Sequence, residues 1–258
     1  MTQPVTPLMP DRRRESCAHC ALEPLCLPAS VGAEDLRRID ALVEKRAPVE
    51  RGKTLFHEGA PFRALYVVRA GSFKTYTVLP DGGAQILGFH LPGEIVGVDA
   101  LDRDRHLCTA EALERASVCE VPFARLHAVA AQVPALQRQL YRIIGREFAQ
   151  GQQHVAMMGR RQAMERLTSF LKSLADRRAG LGLDPALFQL GMSRQDIGNY
   201  LGLVVETVSR LFTRLAHDGV IAVKNKEVHI LDFHALCSRC GETDEHDPSS
   251  HQRRYAGG

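Results

Sequence analysis

Residues 191–219 read GMSRQDIGNYLGLVVETVSRLFTRLAHDG, and this stretch decides the fold. Ser193 followed three residues later by Asp196 is a helix start, because each side chain can satisfy a backbone N–H of the other. Ile197 and Leu201 give this first helix an inward face, and Gly202 stands just past its end, where a left-handed residue is wanted. A second helix begins near Val205 and aligns Val208, Leu211, Phe212 and Leu215 along one side. Two helices joined by a tight glycine turn form a helix-turn-helix. The segment VIAVKNKEVHIL follows as two short strands around Asn225-Lys226, a wing. The outer face of the second helix then presents Glu206, Thr207, Ser209 and Arg210 toward a major groove. Arg210 can take guanine O6 and N7 bidentately, Glu206 can accept from a cytosine amino group, and Ser209 is small enough to approach a base edge. Ser193 and Arg194, at the start of the first helix, complete the candidate DNA-binding set. An ordinary surface ion pair between Glu206 and Arg210 is the plain alternative. It does not account for the ordered set of cap, glycine turn, two faces and wing.

Outward from this module, residues 161–178 read as another helix, and before them lies a longer one. Val133, Leu136, Leu140, Ile144, Phe148, Gly151, Val155 and Met158 step by three or four, the narrow seam that two long helices share. Leu136, Leu140, Ile144, Phe148, Val155 and Met158 are therefore the candidate dimerisation residues. Residues 50–122 read as all-β. ALYVVRAG is an apolar run ending in Gly71, Phe73, Thr75 and Thr77 alternate with Lys74, Tyr76 and Val78, and PDGG marks a turn before AQILGFHL. ASVCEVP is a last strand, closed by Pro122. Short strands between glycine turns suggest a small barrel or jelly roll. Leu36, Ile39, Leu42 and Val43 predict a short amphipathic helix within residues 34–46. The expected division is an irregular cysteine-containing arm over 1–30, a β-roll over 31–132, a dimerisation helix over 133–160, a winged helix-turn-helix over 161–236 and a disordered polar tail over 237–258. The class is α+β.

The chain has 258 residues, 45% hydrophobic and 24% charged, which excludes a wholly disordered, collagen-like or coiled-coil protein. No apolar run approaches the roughly 18 residues of a membrane span. MTQPVTPLMPDRRRE lacks the apolar segment of a signal peptide, so a cytoplasmic location with reduced thiols is expected. The net charge of +3 says little. Residues 160–231 hold 11 Lys and Arg against 7 Asp and Glu, an imbalance compatible with nucleic-acid binding but common on ordinary surfaces.

Seven cysteines in a reducing compartment call for a use other than disulfides. Cys17, Cys20 and Cys26 follow a C-x2-C-x5-C spacing that can wrap three thiolates around one metal centre. Cys119, Cys108 and His19 are candidates for a fourth ligand. Cys119 is preferred because it sits where the barrel hands over to the helices. Spacing leaves an iron–sulfur cluster, a zinc ion and unliganded thiols all open. Cys108 reads as packing. Cys237 and Cys240 form a second C-x-x-C, with His234 and His246 nearby, and read as unliganded thiols.

Together, the cysteine arm, SVCEVPF, GFHLPGEIVGVDAL and RQDIGNYLGLVVETVSRL resemble the CRP/FNR family of bacterial transcription regulators, and within it the oxygen-sensing fumarate and nitrate reduction type, over about residues 15–236. The resemblance implies a cyclic-nucleotide-binding-like jelly roll, a long dimerisation helix and a winged helix-turn-helix. It implies a [4Fe–4S] cluster on Cys17, Cys20, Cys26 and Cys119. It also implies a homodimer reading a TTGAT-type inverted repeat in double-stranded DNA through Glu206, Ser209 and Arg210. Oxygen would be the signal, and RNA polymerase a partner, with the hairpin around Val78 to Ala84 as a candidate surface. The nucleotide-binding members carry an arginine before a Ser/Thr-Ala pair. HLCTAEAL has none before Thr109-Ala110, and Asp99 lies near where those receptors keep a glutamate, so no cyclic nucleotide is expected. Sensing of nitric oxide, redox state or another small ligand is the same-family alternative, and an iron–sulfur electron carrier the alternative of a different class.

Overall fold

The apolar run at 64–70 shows no alternation because both faces of its strand are covered. In the computed structural model, which describes residues 17, 20, 22, 26–29, 31–160 and 162–240, Leu65 and Val67 face one core while Ala64, Tyr66 and Val68 face another. Two cores on one strand require continuous apolarity rather than a period of two.

The chain divides into two compact units, residues 1–149 and 150–258. In the first, helix α1 (Ala33–Asp40) precedes strands β1 (Glu44–Lys45), β2 (Thr54–Phe56), β3 (Ala64–Ala70), β4 (Phe73–Val78), β5 (Ala84–His90), β6 (Ile95–Val96), β7 (Thr109–Ala112) and β8 (Ser117–Pro122). They form two antiparallel four-stranded sheets, β1-β8-β3-β6 and β2-β7-β4-β5. This is the jelly roll expected from the short strands. Phe73 and Thr75 on β4 are buried while Val78 is exposed, so the alternation there marks a sheet with one covered face. The expected helix over 34–46 is shorter than its apolar spacing suggested. It ends at Asp40, since Glu44 and Lys45 pair with Glu120 and Cys119 on β8 and the strand pairing overrides the helical pattern.

After helix α2 (Phe123–Ala130) comes α3 (Pro134–Arg160), with a proline at its first position, where a missing N–H costs nothing. The seam expected along α3 splits in two. Val133, Leu136 and Ile143 are buried in the core of the first unit, with Leu140 packed partly against it, whereas Ile144, Phe148 and Val155 are exposed at 40%, 68% and 68%. An α-helix turns about 100° per residue, so positions stepping by about 3.5 drift around a straight helix. Leu136 therefore lies in the core of the first unit and not on the exposed face of α3 with Ile144, Phe148 and Val155. Met158 is half-buried within the second unit, close to Gly202.

The second unit contains α4 (Ala163–Gly180), β9 (Leu187–Gln189), α5 (Arg194–Leu201), α6 (Val205–His217), β10 (Ile221–Lys224), β11 (Glu227–Ile230) and α7 (Phe233–Ser238). β10 and β11 are the expected wing. β9 extends it to a third antiparallel strand, order β10-β11-β9, which three residues of sequence gave no pattern to reveal. The tail expected from 237 begins later, because residues 237 and 238 end α7 and Cys240 is fully buried. The expected disorder of 241–258, most of the expected arm, His19 and His246 lie outside the described residues.

Candidate cysteine site and nucleic-acid interface

Cys119 occupies the middle of β8, opposite Val67 on β3. Strand residues two apart share a face, so Cys119 and Val121 point to the same side. That side is the wall of a cavity which Cys17, Cys20 and Cys26 also line. The rest of its lining is apolar, from Leu22, Leu27, Ile39 and Val43 among others, apart from Arg69. The four cysteines named from the sequence are thus brought together, while Cys108 stays apart in the barrel core. Burial, then Asp40, then the neighbouring Cys119 and Cys20 push the Cys17 thiol up to about 12. Burial likewise pushes the Cys26 thiol up. Crowded thiolates in an apolar pocket need a counter-charge, and a soft metal core provides it. The donor set therefore fits thiolate ligation. Among the described residues, no three His, Cys, Asp or Glu side chains converge closely enough to hold a single metal ion.

Two hydrogen bonds fix the cysteine loop from outside. The Cys17 N–H donates to Asp40 Oδ1 at 2.7 Å, tying it to the end of α1. Gln139 Nε2 on α3 donates to the Cys26 carbonyl at 3.0 Å. Leu27, beside that carbonyl, is 1% exposed in a core that contains Val133 and Leu136. Sequence reasoning missed Gln139. Its signal was there, since an amide at 139 stands in the buried stripe between Leu136 and Ile143, where an apolar residue is expected.

In the barrel, Asp99 accepts the Leu107 N–H at 2.7 Å and the Cys108 thiol at 3.5 Å. His106 is buried and stacks on Phe56 with ring centroids 3.6 Å apart. The Asp99 carboxylate is thus committed to partners within the chain.

The second constellation is the α5–α6 pair. Ser193 and Asp196 form the expected capping box, with the Asp196 N–H donating to Ser193 Oγ at 3.0 Å and the Ser193 N–H to Asp196 Oδ2 at 2.9 Å. Gly202 has φ 63°, and the N–H groups of Gly202 and Leu203 donate back to Asn199 and Gly198 at 3.3 and 2.8 Å, closing α5 in a left-handed turn. The turn is so tight that a Cβ on Gly198 would lie 2.5 Å from the Leu203 carbonyl oxygen. On α6, Val208, Phe212 and Leu215 are buried and Glu206, Ser209 and Arg210 are exposed, with Thr207 half-buried. Arg210 Nη2 donates to Thr207 Oγ1 at 3.2 Å. Ser209 Oγ donates to the Val205 carbonyl at 2.9 Å. Glu206, Thr207, Ser209 and Arg210 thus share the outward part of one helix. Arg194 does not join them. Its guanidinium lies over the Phe212 ring, 3.2 Å from the centroid, where it braces α5 against α6.

Known proteins resemble this chain. The family profile described as a cyclic nucleotide-binding domain matches residues 46–133, and that described as a Crp-like helix-turn-helix domain matches residues 165–239. The transcriptional activator protein anr of Pseudomonas aeruginosa is 45% identical over 225 residues, which cover 87% of this chain and 92% of that protein. The fumarate and nitrate reduction regulatory protein of Escherichia coli is 39% identical over 227 residues, 88% of this chain and 91% of that protein. The solved structure of FixK2 from Bradyrhizobium japonicum superposes with a TM-score of 0.71 at 29% identity, covering 78% of this chain and 98% of that one.

Proposed function

This chain belongs to the CRP/FNR family and is a DNA-binding transcriptional activator of the FNR and Anr type, not an enzyme; from that premise we propose that it is an oxygen-responsive homodimer, cytoplasmic, regulating genes of anaerobic or microaerobic growth. The observation that carries this reading is the convergence of Cys17, Cys20, Cys26 and Cys119 on one cavity. Those four residues would hold a [4Fe–4S] cluster, which supplies chemistry that oxygen attacks. A zinc ion with Zn–S bonds of about 2.3 Å draws its ligands to a point. Four sulfurs around a cavity suit a wider, polynuclear core better.

The chain's own residues connect this site to DNA. When the four cysteines are held together, the 26–29 loop is fixed and presents its Cys26 carbonyl to Gln139. That bond and the Leu27 core contact settle the start of α3. A settled α3 favours pairing of its exposed Ile144, Phe148 and Val155 with a second copy, which sets two α6 helices at the spacing of an inverted repeat. Loss of ligation removes the stabilisation by mass action and lowers the dimer population, leaving the base-reading residues untouched. Glu206, Ser209 and Arg210 read a TTGAT-type half-site, with Thr207 and Ser193 positioning the helices. Exposed Val78 and Leu79 on the β4–β5 hairpin are a surface suited to RNA polymerase.

The test is anaerobic purification, with visible absorption, iron and sulfide content, and gel shifts on a TTGAT palindrome before and after air. We expect a cluster spectrum that bleaches in air together with DNA affinity, and loss of both in Cys119→Ala. Arg210→Ala should keep the spectrum while costing about 1–3 kcal/mol of discrimination at the guanine. Tight binding that survives air and Cys119→Ala would overturn the sensing reading. Iron and sulfide without DNA binding in either state would make the chain an electron carrier instead.

A further inference from the structure

Cys237 and Cys240 stand outside both constellations. Cys237 lies in the last turn of α7 and is half-exposed, while Cys240 is fully buried, its thiol donating to the Leu236 carbonyl at 3.2 Å. The Cys240 N–H donates to the Cys237 carbonyl at 2.9 Å, closing a turn between them. Such a turn keeps Cα atoms three residues apart within about 7 Å, and disulfides span about 4.4–6.8 Å. The residue between them that matters is Arg239. Its Nη2 donates to Asp218 Oδ2 at 3.1 Å, just past the end of α6, and its Nη1 donates to the Ala235 carbonyl at 3.0 Å. Its own carbonyl accepts from the buried Thr168 hydroxyl of α4 at 3.0 Å. The two thiols therefore bracket the clip that joins α4, α6 and α7.

We propose that Cys237 and Cys240 are a redox-active dithiol, closed to an intramolecular disulfide by low-molecular-weight disulfides, and that closure fastens the clip behind the DNA-reading helix. The more exposed Cys237, as thiolate, attacks one sulfur of the oxidant RSSR and expels one RS⁻. The Cys240 thiolate then attacks the Cys237 sulfur and expels the second RS⁻. One S–S bond forms as one breaks, two electrons pass from the cysteines to the oxidant, and the two cysteine protons end on two RSH. Cys240 already points back toward the last turn of α7, in which Cys237 lies. The four-cysteine reading has no part in this.

Full-length protein is equilibrated with glutathione and glutathione disulfide at graded ratios, quenched by alkylation and digested with trypsin. Trypsin cuts after Arg239, so the two cysteines separate unless a disulfide joins them. The expected result is a linked peptide pair that accumulates along a single two-electron curve. With it should come a melting temperature for the C-terminal unit raised by several degrees and slower amide exchange at the end of α6. Cys237→Ser, at a half-exposed position, should fold, give no linked pair and melt alike at every ratio. A stable glutathione adduct on Cys237 in place of the linked pair, linkage only after denaturation, or unchanged exchange at the end of α6 on closure would overturn the proposal.

Discussion

His154 on α3 stacks on Tyr200 of α5 with ring centroids 4.1 Å apart, and its buried Nδ1 finds no hydrogen-bond partner among the described residues. Burial lowers its pKa below the ordinary 6.5. The folded protein thus resists a proton that the unfolded chain accepts. Stability from this contact is full above about pH 6.5 and is lost as pH falls through the lowered folded value. Thermal unfolding between about pH 7 and pH 5 should show a decline that His154→Phe, which keeps the stack, flattens. Equal slopes for the two proteins would mean that His154 does not carry the dependence. The residues proposed to read DNA lie nearby in sequence but obey different logic. Glu206 and Arg210 are exposed and were visible in the sequence because nothing in the helix needs them there. The place of Arg194 was hidden for a related reason: an arginine at a helix start looks solvent-facing until the aromatic ring on the next helix is known.

Among the elements, α3 is the one whose parts do different things. Its first turns are buried, its middle is exposed, and a buried glutamine joins it to the cysteine loop. Gln139→Leu keeps the volume and burial and removes the donor, leaving the Cys26 carbonyl with only the Ala29 N–H at 3.1 Å and costing about 0.5–1.5 kcal/mol. Sedimentation under anaerobic conditions should show a weaker dimer with the iron and sulfide content of the parent protein. A parent-like dimer would remove Gln139 from the coupling, and lost iron would assign it to ligation instead. The α5–α6 pair could be read almost whole, because cap, left-handed glycine and apolar stripe are all local signals. The cysteine cavity could be read only as a set of names. Its walls come from α1, β3 and β8, and no local pattern states that Val67 will face Cys119. The even spacing along α3 misled for a physical reason. A stripe of 3.5 winds around a straight helix, so Leu136 and Phe148 lie about 120° apart.

At the scale of the molecule, the exposed Ile144, Phe148 and Val155 are the face of α3 on which the proposed pairing rests. Phe148→Glu places a charge at the centre of that face without touching either buried core. Sedimentation should find monomers with the absorption spectrum intact, and gel shifts should find DNA affinity lost. A dimer that persists with the charge in place would move the interface elsewhere. The strand with two covered faces has a consequence of another kind. In most strands every second position drifts freely, because water tolerates almost any side chain. Along Ala64–Val68 there is no tolerant face. A change at Tyr66 or Val68 is felt inside the barrel, and one at Leu65 or Val67 is felt at the cysteine loop and the start of α3. Tolerance of substitution in this unit is therefore left to its loops and helix contacts, since this one strand cannot change on one side without being answered on the other.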